Sequence, residues 1–178
     1  MYIDIAVGLV IGFFVALGSG GDMVVLMLFA VFATLAPDID FIVWLIRNRF
    51  RSNQFAHEHR DLFHLPLIVG VGGALLIGSF YPAYGLVWGM GTLAHFIHDT
   101  LDGGWGIQWL HPFSRGYFTL ASYSPKRYFR NREEQRVVAA QHGNPYWLEE
   151  QYLKPNLKLA FELVLLATVF FGIVWWLF

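Results

Sequence analysis

The stretch AHFIHDTLD (94–102) sets His95, His98, Asp99 and Asp102 at the end of an almost wholly apolar run. A spacing of i, i+3, i+4 and i+7 puts four such side chains on one face of a helix. Imidazole and carboxylate together form a ligand set for a divalent metal, and a carboxylate beside a metal-bound His can fix the ring's tautomer. A lone His on an apolar face is ordinarily a hydrogen-bonded core residue, a reading that does not account for two His and two Asp in one short stripe. Two further polar clusters interrupt apolar surroundings. APDID (36–40) sets Asp38 and Asp40 inside a hydrophobic block, where a carboxylate is costly; capping of the segment after Pro37 would explain one of them. HEHRDLFH (57–64) carries His57, His59 and His64, the last directly before the run LPLIVGVGG. His59 and His64 do not share a helical face, so a loop or helix start must bring them together. They are the candidate ligands here, whereas His57 and Glu58 read as solvated loop. Arg60 suits an anion, because guanidinium meets phosphate or carboxylate through paired hydrogen bonds; it reads equally as a topogenic charge.

The chain has no cysteine, which removes disulfides and thiolate ligands. The remaining His and Asp set fits one or two ions, Zn²⁺ first and Mn²⁺ or Fe²⁺ next. Such an ion lowers the pKa of bound water to about 7 and supplies a hydroxide nucleophile, and a pair of ions can clamp a phosphoryl group. No His-Glu-x-x-His occurs, which argues against an intramembrane metalloprotease.

Composition indicates what must position these residues. Of 178 residues, 56% are hydrophobic, 18% aromatic and only 14% charged, with a mean hydropathy of +0.48, outside the usual range of soluble proteins. The apolar residues come in blocks: Ile3 to Leu17, Met23 to Ala36 with a continuation through Phe41 to Ile46, Leu65 to Phe80, Ala83 to Ile97, and Leu157 to Phe178. The first lacks a basic flank and a cleavage site and reads as a retained helix. Several fall short of the ~20 residues a straight span wants. GSGGD (18–22) and YPAY (81–84) read as tight turns. If all five blocks cross, then all 12 Lys and Arg, from Arg47 to Lys158, lie on one side or at its boundary. The positive-inside rule makes that side cytoplasmic. The expectation is therefore an all-α, multi-pass transmembrane bundle of about five spans, N-terminus in and C-terminus out. It divides into a four-helix core (1–102) with the metal motifs, a polar cytoplasmic or interfacial segment (103–156) and a C-terminal span (157–178). In the polar segment NREEQRVVAAQHG predicts a short helix, with Asn131 as cap, Glu134 at its third position and Gly143 as stop. Trp105, Trp109, Tyr117, Tyr123, Tyr128, Tyr146 and Trp147 suit headgroup depth. In this topology all three polar clusters converge at the cytoplasmic face, although Lys and Arg alone set it.

APDID, HRDLFH and HFIHDTLDGGWGIQWLHPFS resemble the three signature blocks of a family of bacterial inner-membrane metal-dependent hydrolases, the LexA-regulated membrane hydrolase group. The resemblance covers roughly residues 1 to 115. It implies an inner-membrane location and metal or catalytic roles for Asp38, Asp40, His59, His64, His95 and Asp99, with Arg60 beside them. Asp61, Phe63 and Leu65 stand where that pattern has Gly, Thr and Ser, and His98 and Asp102 lie outside it. The expected activity is hydrolysis of an ester or phosphoester, of a small molecule, a membrane lipid or a lipid-linked compound. His98 or Asp102 would serve as base or as a partner that orients a ligand, and Arg60 would hold the substrate's anionic part. Two rivals are a metal-ion or proton transporter, which needs polar groups across the whole bilayer, and a scaffold with structural polar clusters. Nucleic-acid binding is not expected, because topology accounts for the basic residues.

Overall fold

The computed structural model describes residues 1–101, 105–120 and 130–178. Asp102, Tyr123 and Tyr128 therefore lie outside the described residues. Within them the regular elements are helical, with isolated bridges Ile107–Phe118 and Tyr117–Arg130.

Helix α1 (Tyr2–Ser19) stops at Gly20, whose φ of 68° is left-handed and whose N–H returns to the Ala16 carbonyl. Two residues on, Asp22 starts α2 (Met23–Leu35) by accepting the Val25 N–H at 3.0 Å. GSGGD is thus a stop followed directly by a start. Pro37 lacks an N–H, and the chain tightens into a 3-10 turn over Ala36–Asp38 before α3 (Ile39–Arg47). The third block opens as a π-helix over Pro66–Gly72 and continues as α4 (Gly73–Gly78). Pro82, with its pre-set φ and missing N–H, takes the first position of α5 (Pro82–Leu101). Helix α6 (Arg132–His142) carries both halves of the Asn131–Glu134 capping box. Gly143 ends it in an extended conformation, φ −67° and ψ 138°, not a left-handed one. Asn156 caps α7 (Leu157–Leu177), whose Leu159 N–H it accepts at 2.8 Å.

Three helices among the described residues are long and apolar enough to cross a membrane: Tyr2–Ser19, the run Met23–Arg47 and Leu157–Leu177. Pro66–Gly78 is apolar but shorter. Helix α5 has the length, but its last turns carry His95, His98 and Asp99. The protein is a helical membrane protein.

The residues cluster into two compact units. One comprises 1–36, 70–95 and 155–178. Its core joins Ile11, Val15 and Ala16 of α1 to Leu26, Ala30 and Ala33 of α2 and Val87 of α5. The first two helices form a close hairpin because Gly12 lies against α2; a Cβ there would sit 2.4 Å from the Met27 Cα. Phe13 meets Trp176 of α7 edge to face, with ring centroids 5.0 Å apart. The other unit, 37–69 and 96–154, holds α3, the histidine loop, the end of α5 and α6.

Candidate metal centre

Asp38 makes no side-chain cap at the start of α3, so capping does not explain APDID. Its carboxylate is about one-third exposed. Two residues on, Asp40 is buried and faces the histidine loop. Its Oδ2 accepts the Phe63 N–H at 3.3 Å and lies 3.2 Å from His64 Nδ1.

His59 ends a 3-10 turn over Ala56–His59. Its Nδ1 lies 2.5 Å from the Ala56 carbonyl. A carbonyl only accepts, so Nδ1 carries the proton and Nε2 keeps its lone pair. That Nε2 stands 4.0 Å from Asp38 Oδ1 and 4.0 Å from Asp40 Oδ1. Burial, then the neighbouring Arg60 and His64, push the His59 pKa down to about 3, which keeps the ring neutral. The ring packs on Phe41 at a centroid distance of 4.9 Å.

His64 is fully buried. Its Nε2 is 3.1 Å from Asp99 Oδ2 and 3.7 Å from Asp38 Oδ1. Burial opposes its charge, but hydrogen bonds to Asp40 and Asp99 outweigh that and raise its pKa. Asp40 and Asp99 thus favour a positive charge at this point. Asp99 Oδ1 accepts Arg60 Nη2 at 2.8 Å, and both residues are buried.

Asp38, Asp40, His59, His64 and Asp99 therefore form one cluster, with Arg60 at its edge. Asp40 Oδ1 and His59 Nε2 are buried without a hydrogen-bond partner. Two such atoms facing one another at 4.0 Å suit a shared cation, since ligands about 2.0–2.2 Å from one Zn²⁺ can be at most about 4.4 Å apart. Asp38, His59 and His64 each offer a ligand atom, and all three atoms lie within 4.8 Å of one another. The residues fit a divalent ion.

His95 is buried on α5 one turn before Asp99, with Nδ1 3.7 Å from Asp4 Oδ1. His98 is half-buried on the flank of the same helix. His57 packs on Trp147 with centroids 4.8 Å apart and the rings tilted by 35°. Sequence reasoning passed over Asp4 and Glu162, both buried in α1 and α7, with the Glu162 carboxylate accepting the Tyr2 N–H at 3.2 Å. An acidic residue inside an apolar block was the available signal. It also left Glu58 as solvated loop, whereas that carboxylate accepts hydrogen bonds from Arg132 and Arg136.

No curated protein and no solved structure gives a match to this chain. One family model does, that of the YdjM inner membrane protein, and it matches residues 3–177. The chain belongs to the YdjM inner membrane protein family, a family of bacterial inner-membrane proteins.

Proposed function

We propose that this protein is a metal-dependent hydrolase of a lipid or lipid-linked ester or phosphoester at the cytoplasmic face of the inner membrane. The observation that carries the reading is the pair of buried, unbonded atoms Asp40 Oδ1 and His59 Nε2 at 4.0 Å. Asp38, His59 and His64 would hold the ion, with Asp40 and Asp99 beside them and His95 as a further candidate. A divalent ion there would polarise a carbonyl or phosphoryl oxygen and make water acidic enough to attack at neutral pH. Asp40 turns His64 by its Nδ1 contact, and Arg60 holds Asp99. His98 and Asp102 remain the candidate bases.

A lipid substrate is supported by the outside of α3. Ile39, Ile42, Val43 and Ile46 form an exposed apolar stripe, while Asp40 is buried on the other side of the helix. The helix ends in Arg47, Arg49, Phe50 and Arg51, all exposed, with left-handed backbone at Arg49 and Phe50 (φ 53° and 59°). An apolar face closing on arginines matches acyl chain and phosphate headgroup. Five spans with a cytoplasmic N-terminus would place Asp38, His59 and Asp99 at that headgroup depth.

One observation favours the transporter reading, namely buried Asp4 and Glu162 on spanning helices. After Asp4, however, α1 has no titratable side chain, and α7 has none after Glu162. A permeation path would have to cross these lengths without them.

The test is elemental analysis of protein purified in detergent without chelator, followed by phospholipid hydrolysis in nanodiscs. Near-stoichiometric Zn, Mn or Fe in the wild type, with metal and hydrolysis both lost in His59→Ala, is the expected result. A metal-free, correctly inserted wild type would overturn the reading.

A further inference from the structure

The loop that bears His59 and His64 is fastened from outside the cluster. Glu58 Oε1 accepts Arg132 Nη2 at 3.0 Å and Arg136 Nε at 2.9 Å. Asp61 Oδ2 lies 2.9 Å from Arg132 Nη1, and Asp61 Oδ1 accepts the Tyr117 hydroxyl. Side chains along this loop thus divide by direction. His59 and Arg60 turn to the metal cluster, while Glu58 and Asp61 turn to α6.

The anchor on the other side is itself braced. Arg132 and Arg136 are one turn apart on α6, whose start is closed by the capping box. Tyr117 pairs with Arg130 through both backbone hydrogen bonds, at 2.9 and 3.2 Å. Gln135 donates to the Trp105 carbonyl and accepts from Arg130 Nη1 at 3.3 Å. Asp61 is one of the positions where the chain departs from the signature pattern, and here it is the residue that meets both Arg132 and Tyr117.

We infer that Glu58 and Asp61 are positioning residues that clamp the histidine loop to α6 through Arg132 and Arg136, so that metal retention is controlled by ion pairs outside the site. The inference rests on the metal reading above. Ion pairs between exposed side chains contribute little to global stability, but they can fix where a loop stands. Arg132 and Arg136 are more than half exposed, at 54% and 57%, while Glu58 and Asp61 keep 17% and 25%, and pairs open to solvent on one side weaken as salt shortens the Debye length from about 10 Å at 0.1 M to about 3 Å at 1 M. The clamp therefore makes the site sensitive to ionic strength and to competing anions. The ligands themselves, His59 and His64, are buried and screened far less.

Two readouts on the full chain in nanodiscs test this. Zn²⁺ affinity, read by competition with a chelating dye, should fall about tenfold in Glu58→Gln and Asp61→Asn, the scale of losing an outer-shell partner. Raising salt should weaken Zn²⁺ in the wild type but much less in Glu58→Gln. Glu58→Asp, which keeps the charge that both Arg132 and Arg136 meet, should hold affinity nearer the wild type than Glu58→Gln, which a general loss of folding would not. Amide hydrogen exchange should speed up over residues 56–64 in the single variants and stay unchanged in α1 and α2. Unchanged exchange in 56–64 would overturn the clamp. Faster exchange with unchanged Zn²⁺ affinity would overturn its control of the site. A wild type that binds no Zn²⁺ would sink the metal reading instead, and the exchange data would then still decide for or against the clamp.

Discussion

At the scale of single residues, His57 and His59 make the sharpest contrast, because they are near neighbours in one turn with different surroundings. His59 Nε2 faces Asp38 Oδ1 and Asp40 Oδ1, each at 4.0 Å, whereas the His57 ring packs on Trp147. His59→Ala should weaken Zn²⁺ by more than the about 10–100-fold of an outer-shell loss, and His57→Ala by much less; isothermal titration with Zn²⁺ measures both. Arg60 and Asp99 supply a stability prediction that needs no metal. Both are buried and paired at 2.8 Å, and removing one partner of such a pair costs about 3–5 kcal/mol. Asp99→Asn should therefore lower the unfolding midpoint in chelator, and Arg60→Met with Asp99→Leu should recover much of it. Equal midpoints for wild type and Asp99→Asn would show that the pair contributes nothing. The residue types of the cluster were legible in the sequence, because a carboxylate or imidazole in apolar surroundings needs a reason. Their partners were not. Arg60 reads as an anion holder until the fold brings Asp99 to it across 39 positions. Asp4 and Glu162 were passed over, although α1 and α7 bury both.

At the scale of elements, local chemistry placed the boundaries well where a turn or cap decides them. Asp22 starts α2, Pro82 starts α5, and Asn131 with Glu134 starts α6, all through interactions within a few residues. Where packing decides, the sequence said less. The π-helical opening at Pro66–Gly72 has no simple hydrophobic period to announce it. Close helix contact also depends on which glycines meet a neighbour. Gly12 and Gly18 both lie in α1 and look alike in sequence, but Gly12 abuts the Met27 backbone while Gly18 has nothing within 4 Å. Membrane helices associate through such small residues, since lipid offers no hydrophobic drive between them. Gly12→Leu should force α1 from α2 and cost at least the about 1–3 kcal/mol of an overpacked core. Gly18→Ala should be neutral. Thermal unfolding of the two variants in the same detergent separates them, and equal midpoints would refute close packing at Gly12.

At the scale of the whole molecule, the charge distribution fixes less than it first suggests. All 12 Lys and Arg fall on one side or its boundary if five blocks cross, and four crossings would scatter them. Three crossings would not. If the hairpin from Pro66 to Leu101 entered and returned without crossing, the 47–64 loop and the 103–156 segment would still share a face. Length makes this a real alternative. At about 1.5 Å per residue Pro66–Gly78 reaches about 20 Å, against a hydrocarbon core of about 30 Å, and among the described residues three helices have both the length and the apolarity to cross. The chain has no cysteine, so single cysteines report cleanly on sidedness. We expect a membrane-impermeant maleimide applied to intact cells to label Ser19→Cys and Ser79→Cys, both exposed. Phe50→Cys and Val137→Cys, also exposed, should react only after permeabilisation. Ser79→Cys behaving like Phe50→Cys would mean a re-entrant hairpin and three spans. It would leave His59 and Asp99, which flank the hairpin's two ends, on one face in either topology. Ser19→Cys behaving like Phe50→Cys would mean that Met23–Arg47 does not cross, and would remove the argument that sets Asp38 and Asp40 at headgroup depth.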